Sequence, residues 1–277
     1  MLIDTGDFYD NGHHESLIRR ALRPGDRDRV VISGKFGVLR DPAGRFVGVD
    51  ARPAYLKSAL AYSLQRLGTD YVDLYRPARL DPEVPIEDTV GALAEMVQAG
   101  RVRHVGLSEV GADTIRRAHA VHPITDVQIE YSLFSRGVER SILATCRELG
   151  IGVTAYGVLS HGLLTGAYDG GSGGHLPRFQ GGNLAANLAL VERLRPIADE
   201  RGVTVAQLAI AWVLARGDDI VALVGAGRPG RIAAAVAAAD LALSDADLAA
   251  IDEAVPAGAV AGDRYPAPQM ATLDSER

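Results

Sequence analysis

Residues 55–75, YLKSALAYSLQRLGTDYVDLY, run from a helical stripe directly into a short strand. Leu56, Leu60, Leu64 and Leu67 recur at i, i+4, i+8 and i+11, which places them on one face of a helix. The run 71–75 (YVDLY) is short and mostly apolar, as expected of a strand covered on both faces. The same unit recurs outward in both directions. Further strands are expected at 1–4 (MLID), 29–35 (RVVISGK), 102–107 (VRHVGL), 127–130 (VQIE), 152–156 (GVTAY) and 220–224 (IVALV). Ile86, Val90, Leu93 and Val97 give a second helical stripe, and Ile142, Leu143, Cys146 and Leu149 a third. Thr204 with Gln207 reads as a capping box opening a helix over 205–216, and Ser244 with Asp247 opens one over 245–254. Alternating strands and helices predict a parallel sheet covered by helices. An open doubly wound sheet and a (β/α)8 barrel both satisfy that pattern. A spacing of about 25–40 residues between strands is close to that of a barrel. No shift of composition marks a linker, so 1–277 reads as one domain, with 255–277 a tail over the barrel mouth.

Composition narrows the function. The chain has 277 residues and a formal charge of −6, with mean hydropathy +0.06. An acidic chain without a basic run is a poor nucleic-acid ligand. No apolar run approaches the ~18–20 residues that span a bilayer, and no signal peptide is visible at the start. The single Cys146 excludes an internal disulfide framework and a Cys-rich zinc site. The default reading is a cytoplasmic, reducing compartment. His13-His14-Glu15 looks metal-like, but adjacent histidines point apart, and no metal is expected. Among the 29 basic residues, only Lys35 and Lys57 are lysines. Lys57 falls on a polar helix face. Lys35 ends an apolar run, where an amine whose pKa can move does what a guanidinium cannot.

The strand ends are where such folds place their chemistry. The first strand delivers Asp4-Thr5-Gly6-Asp7-Phe8-Tyr9, with Gly12 and Glu15 behind it. The second delivers Lys35-Phe36-Gly37. An acid, a phenol and an amine at neighbouring strand mouths form a candidate catalytic trio. Asp4 would hold Lys35 charged, and the charge would lower the Tyr9 phenol toward neutrality. An Asx turn, a rim aromatic and a structural ion pair are the alternatives.

These segments resemble those of the aldo-keto reductases. Asp4-Thr-Gly-Asp-Phe-Tyr9 with Gly12 and Glu15 is similar to their D-T-A-x-x-Y-G-x-G-x-x-E signature. Lys35-Phe36-Gly37, Arg103-His104-Val105-Gly106-Leu107-Ser108-Glu109, Val127-Gln128-Ile129-Glu130-Tyr131 and Tyr156 through Gly166 are similar to four further motifs, in the family's order. The resemblance implies a (β/α)8 barrel that binds NADP(H) and reduces an aldehyde or ketone by hydride transfer. It implies Tyr9 as general acid, assisted by Lys35 and Asp4. Ser108 and Gln128 would hold the carboxamide and Tyr156 would stack on the nicotinamide. The loop bearing Gly157, Leu159, Gly162 and Leu164 would follow the pyrophosphate. Gly225-Ala226-Gly227-Arg228-Pro229-Gly230 spells G-x-G-x-x-G, but no further βαβ unit follows, which excludes a dinucleotide fold of its own. The resemblance makes it the 2′-phosphate loop, with Gly225, Gly227, Arg228 and Arg231 as donors. The implied partner is a small carbonyl compound, and a homo-oligomer is allowed.

Three departures from the family pattern stand out. Leu74-Tyr75-Arg76-Pro77-Ala78-Arg79 puts Ala78 where the family has a catalytic histidine. Loss of such a donor is worth about 2–4 kcal/mol of transition-state stabilisation. Arg76 and Arg79 flank the gap, and a substrate with a polar group of its own could complete the site. Arg231-Ile232-Ala233-Ala234-Ala235 lacks the family's Glu-Asn pair at the adenine. Met1 falls inside the family's second strand, so the N-terminal hairpin and first strand–helix unit are absent, and a start upstream of Met1 is expected. The alternative reading is a reductase-like protein that binds a nucleotide or a partner without turnover.

Overall fold

The computed structural model describes residues 1–168, 173–225, 227 and 229–276. Strand β1 (Leu2–Asp4) leads through a tight turn to α1 (His13–Ala21) and then β2 (Val31–Phe36). An antiparallel ribbon of β3 (Val38–Arg40) and β4 (Phe46–Val49) follows, which the periodicity did not indicate. Then come α2 (Pro53–Leu67), β5 (Val72–Pro77), α3 (Ile86–Gln98), β6 (Val102–Ser108), α4 (Ala112–Val121), β7 (Ile124–Glu130), α5 (Ile142–Leu149) and β8 (Gly152–Tyr156). The chain closes with α6 (Gly182–Glu200), α7 (Val205–Leu214), β9 (Ile220–Ala222), α8 (Pro229–Ala238), α9 (Asp245–Ala254) and the short α10 (Ala267–Met270). No helix among the described residues is long and apolar enough to cross a membrane.

The main sheet has seven strands in the order β1-β2-β5-β6-β7-β8-β9, every neighbouring pair parallel. All seven expected strands are present in it. Among the described residues, β1 pairs only with β2, and β9 only with β8. Local chemistry explains the helices. Pro53 opens α2 at a position that needs no N–H, and Gly68 closes it in the left-handed region at φ +66°. Both expected capping boxes form, Thr204 with Gln207 and Ser244 with Asp247. Between β8 and α6 lie 3₁₀ turns at Ser160–Thr165 and Pro177–Phe179.

Apolar side chains fill the space between sheet and helices, with Phe36 stacked on Tyr75 at 4.9 Å. The interior of the sheet is polar along one line. Arg76 is fully buried and its guanidinium lies 2.5 Å from Asp126, in an ion pair too bent to be a hydrogen bond. Its other arm donates to Ser33 Oγ at 2.7 Å, and Thr154 Oγ1 donates to Asp126 at 2.6 Å. Gly106 makes this possible: a Cβ there would stand 3.1 Å from the Asp126 carbonyl oxygen and 3.4 Å from Arg76 Nε.

A buried charge deprived of its partner is costly, about 3–5 kcal/mol. Asp126→Ala should therefore lower unfolding stability by roughly that amount in urea denaturation. Replacing both partners, Arg76→Met with Asp126→Leu, should recover most of the loss. A single variant as stable as the parent would show that the pair is not desolvated as drawn.

Candidate active site

The parallel register brings the candidate side chains to one end of the sheet. Asp4 ends β1 beside Ser33, Lys35 on β2 stands beside Arg76, and Ser108 ends β6 beside Gln128. Tyr156 ends β8 beside Glu130.

Asp4 is the hub. Its side chain is 6% exposed and its Oδ1 receives Lys35 Nζ, itself 3% exposed. Its Oδ2 accepts from Ser33 Oγ at 2.8 Å and Gln128 Nε2 at 2.9 Å. Burial pulls the Lys35 ammonium down to about 8, with Asp4 opposing and the Arg76 charge adding to the fall. Lys57, by contrast, forms an exposed pair with Glu95. The Lys35 nitrogen lies 5.1 Å from the centre of the Tyr9 ring. The expected trio is thus assembled.

One expectation is corrected. Lys35 does not lower the Tyr9 phenol toward neutrality; burial, followed by the Asp4 charge, pushes it up to about 12. The ammonium is neutralised by the carboxylate it touches, so the phenol meets a pair rather than a free cation. Tyr9 therefore holds its proton throughout the physiological range.

The turn that presents Tyr9 is fixed from behind. Asp10 and Asn11 both adopt φ +48°. Glu15 on α1 is 1% exposed and accepts from Arg66 Nε of α2 at 2.6 Å. Gly12, at φ +86°, leaves no room for a Cβ against that guanidinium. Gly12 and Glu15 thus join α1 to α2.

A second cluster surrounds Glu109, which follows Ser108 at φ +54° and is 1% exposed. It accepts from Tyr156 Oη at 2.8 Å, Ser275 Oγ at 2.7 Å, the Glu130 backbone N–H at 2.9 Å and Arg264 at 2.9 and 3.2 Å. Arg264 also reaches Glu130 at 3.2 Å and Glu276 at 2.9 Å. Burial works to raise the Glu109 carboxyl, but the Arg264 hydrogen bonds and charge outweigh it and hold it at about 2. Tyr265 Oη lies 3.3 Å from Tyr156 Oη, and Asp274 accepts from the Gly111 N–H at 2.7 Å. The tail thus enters the mouth through Arg264, Tyr265 and Ser275, all buried. Sequence reading gave Glu109 no role and placed Arg264 only within a tail expected over the mouth, without naming its partner. Their signal was a carboxylate after Leu107-Ser108 and an Arg-Tyr-Pro run in the tail.

The remaining positions fall as follows. Ser108 is 1% exposed, and its hydroxyl has no hydrogen-bond partner among the described residues. Gly157 is at φ +66°, and a Cβ there would meet Glu130 Cγ at 2.9 Å. The amides of Gly162 and Leu164 both donate to the Leu159 carbonyl, and the Leu164 side chain is fully buried. Gly225, Gly227 and Arg231 are exposed around the start of α8, and Arg228 lies outside the described residues. Ala78, in the histidine's place, is 1% exposed.

The sequence matches the Aldo/keto reductase family over residues 1–256. The chain belongs to that family. A probable aldo-keto reductase 1 of Glycine max is 42% identical over 274 residues, covering 95% of this chain and 77% of the relative. The aldo-keto reductase yakc of Schizosaccharomyces pombe, whose name specifies NADP(+), is 40% identical over 274 residues, 95% of this chain and 81% of its own. The glycerol dehydrogenase of Gluconobacter oxydans superposes with a TM-score of 0.84 at 29% identity, over 91% of this chain and 80% of that one. An aldo-keto reductase of Klebsiella pneumoniae in complex with NADPH gives 0.73 at 29%, over 92% and 80%.

Arg264→Met removes the cation shared by Glu109 and Glu130. In limited proteolysis at pH 7, residues 263–276 of this variant should be cut faster than in the parent. The Glu109 carboxyl is lowered by folding, so its stabilisation is present above its unfolded value and is lost as pH falls toward about 2. An equally resistant Arg264→Met tail would show that the cluster does not hold it.

Proposed function

We propose that this reductase transfers a hydride from NADPH to an aldehyde or ketone, with Tyr9 as the proton donor. The observation that carries the reading is the desolvated Asp4–Lys35 pair with the Tyr9 ring 5.1 Å from the ammonium, at the open end of a parallel sheet. A binding module has no need of that trio. The NADP(+) in the name of the fission-yeast relative and the NADPH in the Klebsiella complex support the cofactor.

The residues present fit that cofactor. Ser108 offers a nearly buried hydroxyl with no partner among the described residues. Gln128 donates its amide N–H to Asp4, which leaves its Oε1 to accept. Both suit a carboxamide. Gly225, Gly227 and Arg231 stand exposed at the N-terminal end of α8, where backbone N–H groups and a guanidinium suit a phosphate. Tyr156 is held by its hydroxyl on Glu109, which fixes the ring's orientation at the mouth. The bound cofactor supplies the hydride.

The chain's own residues supply the proton. Tyr9, with its phenol at about 12, is fully protonated at neutral pH and passes its proton to the carbonyl oxygen as negative charge develops there. Lys35 sits close enough to stabilise the phenolate left behind, and Asp4 holds the ammonium in place. Ser33 and Gln128 fix the carboxylate in turn.

Tyr9→Phe should lower kcat/KM by ~10²-fold or more, while NADPH fluorescence titration still shows saturable binding. A Phe variant that turns over at the parent rate removes Tyr9 from the mechanism. Lys35 loses its charge as pH rises through about 8, so kcat/KM should fall above that pH. Lys35→Met should abolish that inflection as well as lower the rate, and an inflection that survives belongs to another group.

A further inference from the structure

Among the described residues, three of the four cations at the mouth touch a carboxylate, and the fourth does not. Lys35 is matched by Asp4, Arg264 by Glu109 and Glu276, and Arg178 by Glu130 at 3.5 Å. Arg79 has no carboxylate within ion-pair distance among the described residues. It follows Ala78 just beyond the end of β5, and its one hydrogen bond there runs from Nη1 to the Ala78 carbonyl at 2.6 Å. Its charge acts on Tyr156, Glu109, Tyr265 and Tyr9, so it stands among the aromatic groups of the mouth. Glu109 is already saturated by Arg264, Ser275 and Tyr156. The side chain is half-buried, and none of its nitrogens is both buried and unsatisfied, so its free donors remain open to solvent.

A partly desolvated guanidinium with a free fork is a site for a carboxylate, which it holds through two parallel N–H bonds. The adjacent Ala78 gives the carbonyl no donor, so polar recognition on this side of the mouth falls to Arg79. We propose that Arg79 is a specificity-determining residue that binds a carboxylate adjacent to the reacting carbonyl, making 2-oxo acids the preferred substrate class. In such a compound the carboxylate and carbonyl carbons are directly bonded. A fork at Arg79 then positions the carbonyl oxygen toward Tyr9. The substrate class rests on the reductase reading above; the anion site does not.

The test uses oxamate, a carboxylate bonded to an unreactive carbonyl, and its neutral ester ethyl oxamate. Each is titrated calorimetrically into the full chain in the presence of NADP+. Oxamate should bind ~10- to 100-fold tighter than the ester, the range for a charge-assisted pair. Arg79→Met should reduce that ratio to about threefold or less, and Arg79→Lys should retain an intermediate preference. Equal affinity for acid and ester in the parent chain overturns the proposal, as does a preference that survives Arg79→Met. If Arg79→Met does not fold, the parent ratio and the Lys variant still decide. Turnover of benzaldehyde with NADPH separates the two readings. Turnover without acid preference removes the Arg79 site and keeps the reductase. Acid preference without any carbonyl turnover keeps the site and removes the reductase.

Discussion

The arrangement at the mouth depends on a single desolvated ion pair, Asp4 with Lys35. Neither charge is stable in that environment alone, because an unpaired charge out of water costs several kcal/mol. Together they are tolerated, and they place demands on three strands. Asp4 must end β1, Lys35 must lie on β2 near its register partner, and Gln128 of β7 must reach across to the same carboxylate. The short strand β1 has only three ladder partners on β2. Its end is held by Ser33, Lys35 and Gln128 as well as by backbone pairing. The pair beside Tyr9 therefore also locates the strand that leads to it.

A second charged assembly meets the first without merging with it. Glu109 and Glu130 leave the ends of β6 and β7 and are neutralised by Arg264 and Arg178, which come from outside the strands. The lower assembly belongs to the sheet and the upper one joins the tail to it. Tyr156 connects them sterically: its backbone pairs with β7 and its hydroxyl binds Glu109. The position of Tyr156 thus depends on the tail being seated.

The strands were legible because buried parallel strands are short, apolar runs, and every one expected from VRHVGL to GVTAY is found. The ribbon at 38–49 escaped because its exposed Phe46 and Val47 carry no alternation toward a core. Asp4, Tyr9 and Lys35 were legible as rare chemistry at strand ends. Their proximity needed only the register of two adjacent strands. The Tyr9 phenol was misread because sequence supplies the neighbour's charge but not its partner's distance. The phenol's own desolvation dominates, the Asp4 charge adds to it, and the net shift is upward. The contact between Glu109 and Arg264 was illegible for a different reason: they are 155 residues apart, and no local pattern links them.

The skewed choice between arginine and lysine now has a structural meaning. Arg76 and Arg264 each contact more than one buried acceptor, which a planar fork with fixed charge can do and an ammonium cannot. A lysine in either place would satisfy one acceptor and be pulled toward neutrality by burial. At position 35 the demand is the opposite. One carboxylate is the whole ion-pair set, and the group beside the phenol must respond to its surroundings. Its pKa of about 8 is the consequence of burial offset by Asp4. A guanidinium there would keep its charge regardless of the phenol. Lys35 is therefore a buried cation whose charge lies within reach of ordinary pH.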